Sequence, residues 1–225
     1  MGLMHDGRAT NPLEIDRFEG GVGWIAHPDE TARRASHAIV DGDDVYLIDP
    51  IDAEGVGETY EDLGTVAGAV VLLGRHTRDA EAFARRHEVP VFFPRALSSM
   101  TDDVAGTTRT FDGALPGTEY RTIDVLDTIG WTEVALFDGE TLIVPEATGT
   151  ARYFRAGNER LGVHPFPLVR LNPPSALENL DPERILVGHG EGIHENAGPA
   201  LADALAGARG RSPRLYAQAA RMLLS

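Results

Sequence analysis

The stretch 70-VVLLGRHTRDAEAFARRHEVPVF-92 holds, in one short span, a buried strand, a polar turn, an amphipathic helix and a second buried strand. Its first residues close the apolar run 68-GAVVLL-73. An uninterrupted run of β-branched and leucine side chains is what a strand covered on both faces requires. From Asp79 to Arg86, the residues Ala80, Phe83 and Ala84 are spaced for one face of a helix. The segment 89-VPVFFPR-95 is again short and apolar, and the whole reads as a β-α-β unit. The turn 74-GRHTRD-79 places a histidine, two arginines and an aspartate at the C-terminal end of a strand. Open α/β sheets bind their ligands at such ends.

Upstream, 23-GWIAHPDE-30 and 37-HAIVDGDDVYLIDP-50 are β-like, and DGDD between HAIV and VYLID is a hairpin turn signal. A short helix is expected over 58-ETYEDLG-64, and residues 1–20 read as irregular and polar. Downstream, 96–123 is loop-like with a strand at its end. Strands 132-TEVALF-137 and 141-TLIVP-145 follow around the tight turn DGE, and 148-TGTARYFRAG-157 is a short helix or an excursion. The segment 174-PSALENLDPERILVGHGEGI-193 reads as helix, turn, strand and glycine-flanked loop, and the tail as two helices, 195–210 and 213–225. This order does not alternate regularly, so two mixed β-sheets packed together with helices outside describe it better than a doubly wound sheet. With no internal repeat and no dividing linker, all 225 residues are expected to form one domain.

A hydrophobic content of 42% supplies a real core, and the formal net charge is −15. That charge argues against nucleic-acid backbones and anionic membranes as partners. No segment reaches transmembrane length, and the N-terminus lacks an apolar signal region, so a soluble cytoplasmic protein is expected. All 20 basic residues are arginine. With the acidic balance this suggests a halophilic, haloarchaeal source, although a GC-rich genome gives the same bias. With no cysteine, any metal must be held by His, Asp or Glu. A homodimer is expected on base rates alone.

Candidate chemistry lies at three strand ends: His76 and Asp79 after AVVLL, Glu146 after TLIVP, and His189 within Gly188-His189-Gly190 after RILV. Each has a structural alternative, such as Asp79 complementing the dipole of a helix start. The two glycines make His189 the most pointed of them, because they imply close backbone approach with the ring aimed at something. His37 and His194 are further candidates near the same edge; His27 and His164, in proline-flanked turns, are weaker. There is no G-x-S-x-G elbow and no glycine-rich phosphate cradle.

These anchors, in this order, resemble the metallo-β-lactamase superfamily. The resemblance spans roughly residues 20 to 207 and rests on 48-IDP-50, on 70–92, on 135-ALFDGETLIVPEA-147 and on 185-ILVGHGEGI-193. It implies an αββα sandwich with a metal site at one edge between the sheets. Typical members are hydrolases of thioesters, lactams, lactones or phosphodiesters with one or two zinc, iron or manganese ions. When the family's first signature, T-H-x-H-x-D-H, is laid on this chain, Gly74 takes the first His position and His76 keeps the second. Arg78 falls at the Asp and Asp79 at the final His. Trp131 stands roughly where a middle His is expected, Glu146 takes the place of the bridging Asp, and His189 keeps the last His. Asp49 ends the hairpin strand that borders the same edge.

So read, the resemblance implies a divergent member without the dimetal centre, carrying no cofactor and binding a small molecule. The alternative it leaves open is a mononuclear hydrolase of a small ester, thioester or lactone, with one zinc, manganese or iron ion on His76, Asp79, Glu146 and His189. A third reading is metal-free acid–base chemistry by His76 or His189, whose ordinary pKa lies in the useful range. Arg78 is expected either to oppose a cation or to pair with Glu146 or Asp79.

Overall fold

The computed structural model describes residues 4, 5 and 7–224, with side chains through 221. Strands β1 (Leu13–Phe18), β2 (Gly21–Ile25), β3 (Ala35–Asp41) and β4 (Asp44–Ile48) are successive antiparallel neighbours. β5 (Thr65–Val70), β6 (Val91–Pro94) and β7 (Thr108–Phe111) continue the sheet in parallel, making seven strands in chain order. Helix α1 (Gly57–Tyr60) precedes β5, and α2 (Ala80–His87) links β5 to β6. In the second sheet β8 (Arg121–Thr128) pairs with β9 (Trp131–Phe137), and β9 with β10 (Thr141–Val144). A two-stranded ribbon follows, β11 (Thr148–Gly149) with β12 (Gly162–Val163), and then α3 (Pro167–Arg170). β13 (Arg184–Val187) returns parallel to β10, and α4 (Ala197–Leu224) ends the chain.

Side-chain alternation explains the layers. Along β4, Val45 and Leu47 join Trp24, Tyr60 and Phe83 under the helices, while Tyr46 and Ile48 face Leu136, Ile143 and Leu186 of the second sheet. On that sheet Leu142, Val144, Ile185 and Val187 point the other way, against Leu201, Ala204 and Leu205 of α4. Each central strand is therefore covered on both faces, which is why its sequence reads as nearly continuous apolar residues. The result is an αββα sandwich of two mixed sheets, as expected.

Some local expectations differ. β1 lies inside the segment read as irregular, and residues 96–123 hold a 3-10 stretch, Arg95–Asp103, and β7 as well as β8. The tail is one helix, not two, although Pro213 lies within it. A proline removes one helical hydrogen bond. Packing of Leu215 into the interior and the bond from the Tyr216 hydroxyl to the Pro165 carbonyl (3.0 Å) keep the second half in line with the first.

The sheets are stitched together at one edge. Beyond β5, Val71–Leu73 run buried toward β9, where Val134 N–H donates to Leu72 O (3.0 Å) and Gly74 N–H to Thr132 O (2.8 Å). On the other side, Ala35 N–H donates to Gly188 O (2.9 Å) and Gly190 N–H to Arg33 O (2.8 Å). Both glycines of the Gly188-His189-Gly190 turn are required. A Cβ on Gly188 would lie 2.0 Å from Pro145 O, and Gly190 has φ +98°.

Candidate functional site

The segments that follow β4, β5, β10 and β13 meet at this stitched edge, with Arg78 between them. Arg78 has φ +47°, an uncommon conformation for a side chain of its size. Its Nη1 donates to the carbonyls of Ala35 (2.5 Å) and Asp49 (3.0 Å), and its Nη2 reaches Gly188 O at 3.5 Å. One guanidinium thus ties β3, the end of β4 and the loop after β13. Asp49 is buried beside it and accepts from Leu72 N–H at 3.2 Å. Burial pushes the Asp49 carboxyl up, and the Arg78 charge opposes that rise.

The anticipated pairing of Arg78 with Glu146 or Asp79 does not form. Arg75 takes Glu146, at 3.3 Å, because the turn directs Arg75 outward and Arg78 inward. The Asp79 carboxylate instead accepts the backbone N–H of Asp52 at 2.8 Å.

Three imidazoles surround the centre. His189 Nδ1 lies 2.8 Å from Ala32 O and 3.0 Å from the Tyr153 hydroxyl. A carbonyl only accepts, so Nδ1 carries the proton and Nε2 keeps its lone pair. His76 Nδ1 is buried with no hydrogen-bond partner among the described residues. His164 Nδ1 accepts from Phe166 N–H (3.1 Å), which leaves its protonated Nε2 facing Glu146 at 3.6 Å. All three have pKa values held down to about 3. Burial is the main cause in each, followed by Arg78 for His76 and by His189 for His164. Burial thus favours the neutral form of all three at pH 7 and holds them well below the ordinary imidazole range, from which acid–base chemistry at His76 or His189 was expected. The Glu146 carboxyl is raised by burial, against the pull of Arg75 and Arg78.

His164, set aside in the sequence as part of a proline-flanked turn, belongs to this centre; its ring meets Trp131 edge-on at 4.7 Å and Phe154 at 5.2 Å. Glu133 was also missed. It is fully buried and accepts Glu146 N–H (2.8 Å), Ala147 N–H (2.7 Å) and Trp131 Nε1–H (2.9 Å), so it fixes the loop bearing Glu146. Burial pushes its carboxyl up to about 7. A lone acid inside the apolar strand WTEVALF was the available signal. Trp131 lies against the same loop, with Arg75 stacked over its ring at 4.9 Å.

His37 and His194 are occupied elsewhere. Both reach the buried Asp16 carboxylate, at 3.3 and 3.0 Å, and Gly192 N–H donates to the same group at 2.8 Å. Asp16 sits at φ +55° where the register of β1 and β2 shifts, and its pKa is held below the ordinary carboxylate range by the two histidines against burial.

These residues do not fit a metal ion. A fixed cation lies among the candidate ligands, and Asp79 is bound to the main chain of a neighbouring loop. Among the described residues no group of three or more His, Asp or Glu is placed to hold one.

Architecture and site together define the class: the chain has the metallo-β-lactamase fold and, among the described residues, no residue cluster that could hold two metals. It is similar to the DIM-1 metallo-β-lactamase, with a TM-score of 0.60 and 11% identity over 92% of this chain and 99% of that one. A metallo-β-lactamase from Pontibacter korlensis gives a TM-score of 0.53 and 13% identity over 87% and 93%. Rubredoxin oxygen:oxidoreductase from Desulfovibrio gigas gives 0.57 and 11% over 78% of this chain and 53% of that chain. No family model and no curated protein matches the sequence.

Proposed function

We propose that this chain is a metal-independent binding protein on the metallo-β-lactamase fold. The observation that carries this reading is the Arg78 guanidinium, bound to three main-chain carbonyls at the edge between the sheets. A permanent cation there supplies the positive charge around which His76, His189 and Glu146 are arranged, and it repels a second one. The neutral imidazoles support the same reading, because a group that ionises near pH 3 is a poor general base at neutral pH. The mononuclear hydrolase is less well supported, since Asp79 would have to leave Asp52 to serve as a ligand.

Elemental analysis of protein purified without chelators is the direct test. We expect zinc, manganese and iron each far below one equivalent, and no hydrolysis of a nitrophenyl ester or a thioester when zinc is added. Stoichiometric, tightly held metal would overturn the reading, as would ester or thioester hydrolysis that depends on added zinc.

A further inference from the structure

Beside the His189 turn lies a second feature that the closed centre does not use. Residues 150–152 and 155 and the loop 190–195, with Arg33 and Arg160, line a cavity of about 700 Å³. That volume is in the range of small-molecule sites. Four arginines border it, against the acids Glu191 and Glu195, in a chain whose net charge is −15. Elsewhere arginines commonly sit on carboxylates, as Arg34 does on Glu30 (2.9 Å) and Arg211 on Asp203 (2.6 Å). Among the described residues, the one cavity arginine that does so is Arg33, with Glu191 at 3.0 Å. Arg160 donates to the carbonyls of Glu195 (2.7 Å) and Asn196 (3.3 Å), which fix it on the segment after β13, so the charges without a partner among the described residues are those of Arg152 and Arg155. Arg152 and Arg155 make no ion pair among the described residues, and Arg155 Nε is buried without a partner.

We propose that this cavity binds a small polyanion with two or more oxyanion groups, a phosphate ester or a polycarboxylate. The proposal rests on the reading of the chain as a binding protein and names its ligand class. Guanidinium forks match the geometry of carboxylate and phosphate oxygens. The overall negative charge disfavours an extended polyanion such as nucleic acid, while a compact ligand sees mainly the local arginines. An occupant would also lie next to the Arg78 centre. The amides of Thr150 and Ala151, on the cavity wall, both donate to His189 O at 3.0 Å, and the neighbouring Tyr153 hydroxyl contacts His189 Nδ1.

Isothermal titration of the full chain with inorganic pyrophosphate and, separately, with citrate at low ionic strength tests this. We expect saturable one-to-one binding of at least one probe; pyrophosphate alone identifies phosphate as the group read, and citrate alone a polycarboxylate. Arg152→Gln and Arg155→Gln should each weaken it about tenfold, the loss of one charge-assisted hydrogen bond. Arg85→Gln, at an exposed arginine of α2, should leave it unchanged. Arg152 is also exposed, so its variant tests the site even if Arg155→Gln fails to fold. Absence of saturable binding to both probes would overturn the proposal, as would an equal loss in Arg85→Gln. Metal content of the same preparation separates the two readings. Metal-poor protein that ignores both anions defeats the anion site alone, whereas metal-loaded protein defeats the binding-protein reading.

Discussion

Two arginine sites flank the turn that carries His189, and they differ in what their guanidinium groups already hold. Arg78 is partly buried, and its Nη atoms donate to main-chain carbonyls of three separate segments, while its Nε has no partner among the described residues. Arg152 and Arg155 border an open cavity and have no carboxylate partner among the described residues. Taking a guanidinium out of water is costly, and fixed acceptors must recover that cost. Where the backbone provides the acceptors for both Nη atoms, as at Arg78, those atoms hold the fold. Where acceptors are missing, the charge remains available for a ligand.

The sharpest way to break this contrast is Arg78→Met. If Arg78 is the tie between the sheets, its loss removes its bonds to three segments and takes the nearby cation from the buried Asp49 side chain, although Asp49 O keeps the Ser36 hydroxyl and Gly188 O keeps the Ala35 N–H. Breaking such a buried arrangement from one side costs about 3–5 kcal/mol, measurable by urea denaturation. A loss below about 1 kcal/mol, within the range of an ordinary surface substitution or a single hydrogen bond, would show that Arg78 is not that tie.

Glu133→Gln comes next. An amide must turn its NH2 toward either the Trp131 indole or the Glu146 and Ala147 amides, so one donor faces another. We expect a loss of about 1–3 kcal/mol. The pH dependence fixes the sign. The folded-state pKa is raised to about 7 from an ordinary value of 4.5, so the contribution is fully present below 4.5 and declines as pH rises through 7. The gap between wild type and variant should therefore narrow from pH 4.5 to pH 7. A widening gap would mean that the carboxylate, not the protonated acid, is the form the fold prefers.

What the sequence made legible follows the same division between local and distant causes. Apolar runs such as AVVLL and RILV and the DGDD turn announced strands and a hairpin, because burial on both faces and turn chemistry are local properties. The Gly188-His189-Gly190 turn was legible because a close approach demands glycine. The partners of Arg78 were not, since they are main-chain carbonyls at residues 35, 49 and 188 and leave no mark on side-chain identity. His164 was hidden for a related reason: its neighbours Trp131, Phe154 and Glu146 come from other strands and loops. Asp16, which holds both His37 and His194, looked like one acid among many in a chain with 35 of them.

His164→Gln has a smaller expected effect. At neutral pH it removes the acceptor for Phe166 N–H, a loss of about 1 kcal/mol. In acid it should change the slope. The folded pKa is about 3 against 6.5, so His164 contributes stability above 6.5 that is lost as pH falls toward 3. The variant should therefore lose stability less steeply between those values than the wild type. In a proton NMR titration of the wild type, the ring signals of His76, His164 and His189 should stay constant from pH 8 to pH 5. A midpoint near 6.5 for any of them would reopen acid–base chemistry at that residue.

The smallest expected effect on stability is at Arg152, and its smallness is what the contrast requires. Arg152 is exposed and makes no side-chain hydrogen bond or ion pair among the described residues, so Arg152→Gln should stay within about 0.5 kcal/mol of wild type. Removing a cation that neighbours other arginines also relieves repulsion, so a slight gain in stability at low salt, fading as salt screens the charges, is the expected direction. A residue kept for packing would lose stability on substitution whatever the salt. A clear loss of stability that persists in high salt would place Arg152 with Arg78 as part of the scaffold, and the difference between the two arginine sites would be one of exposure alone.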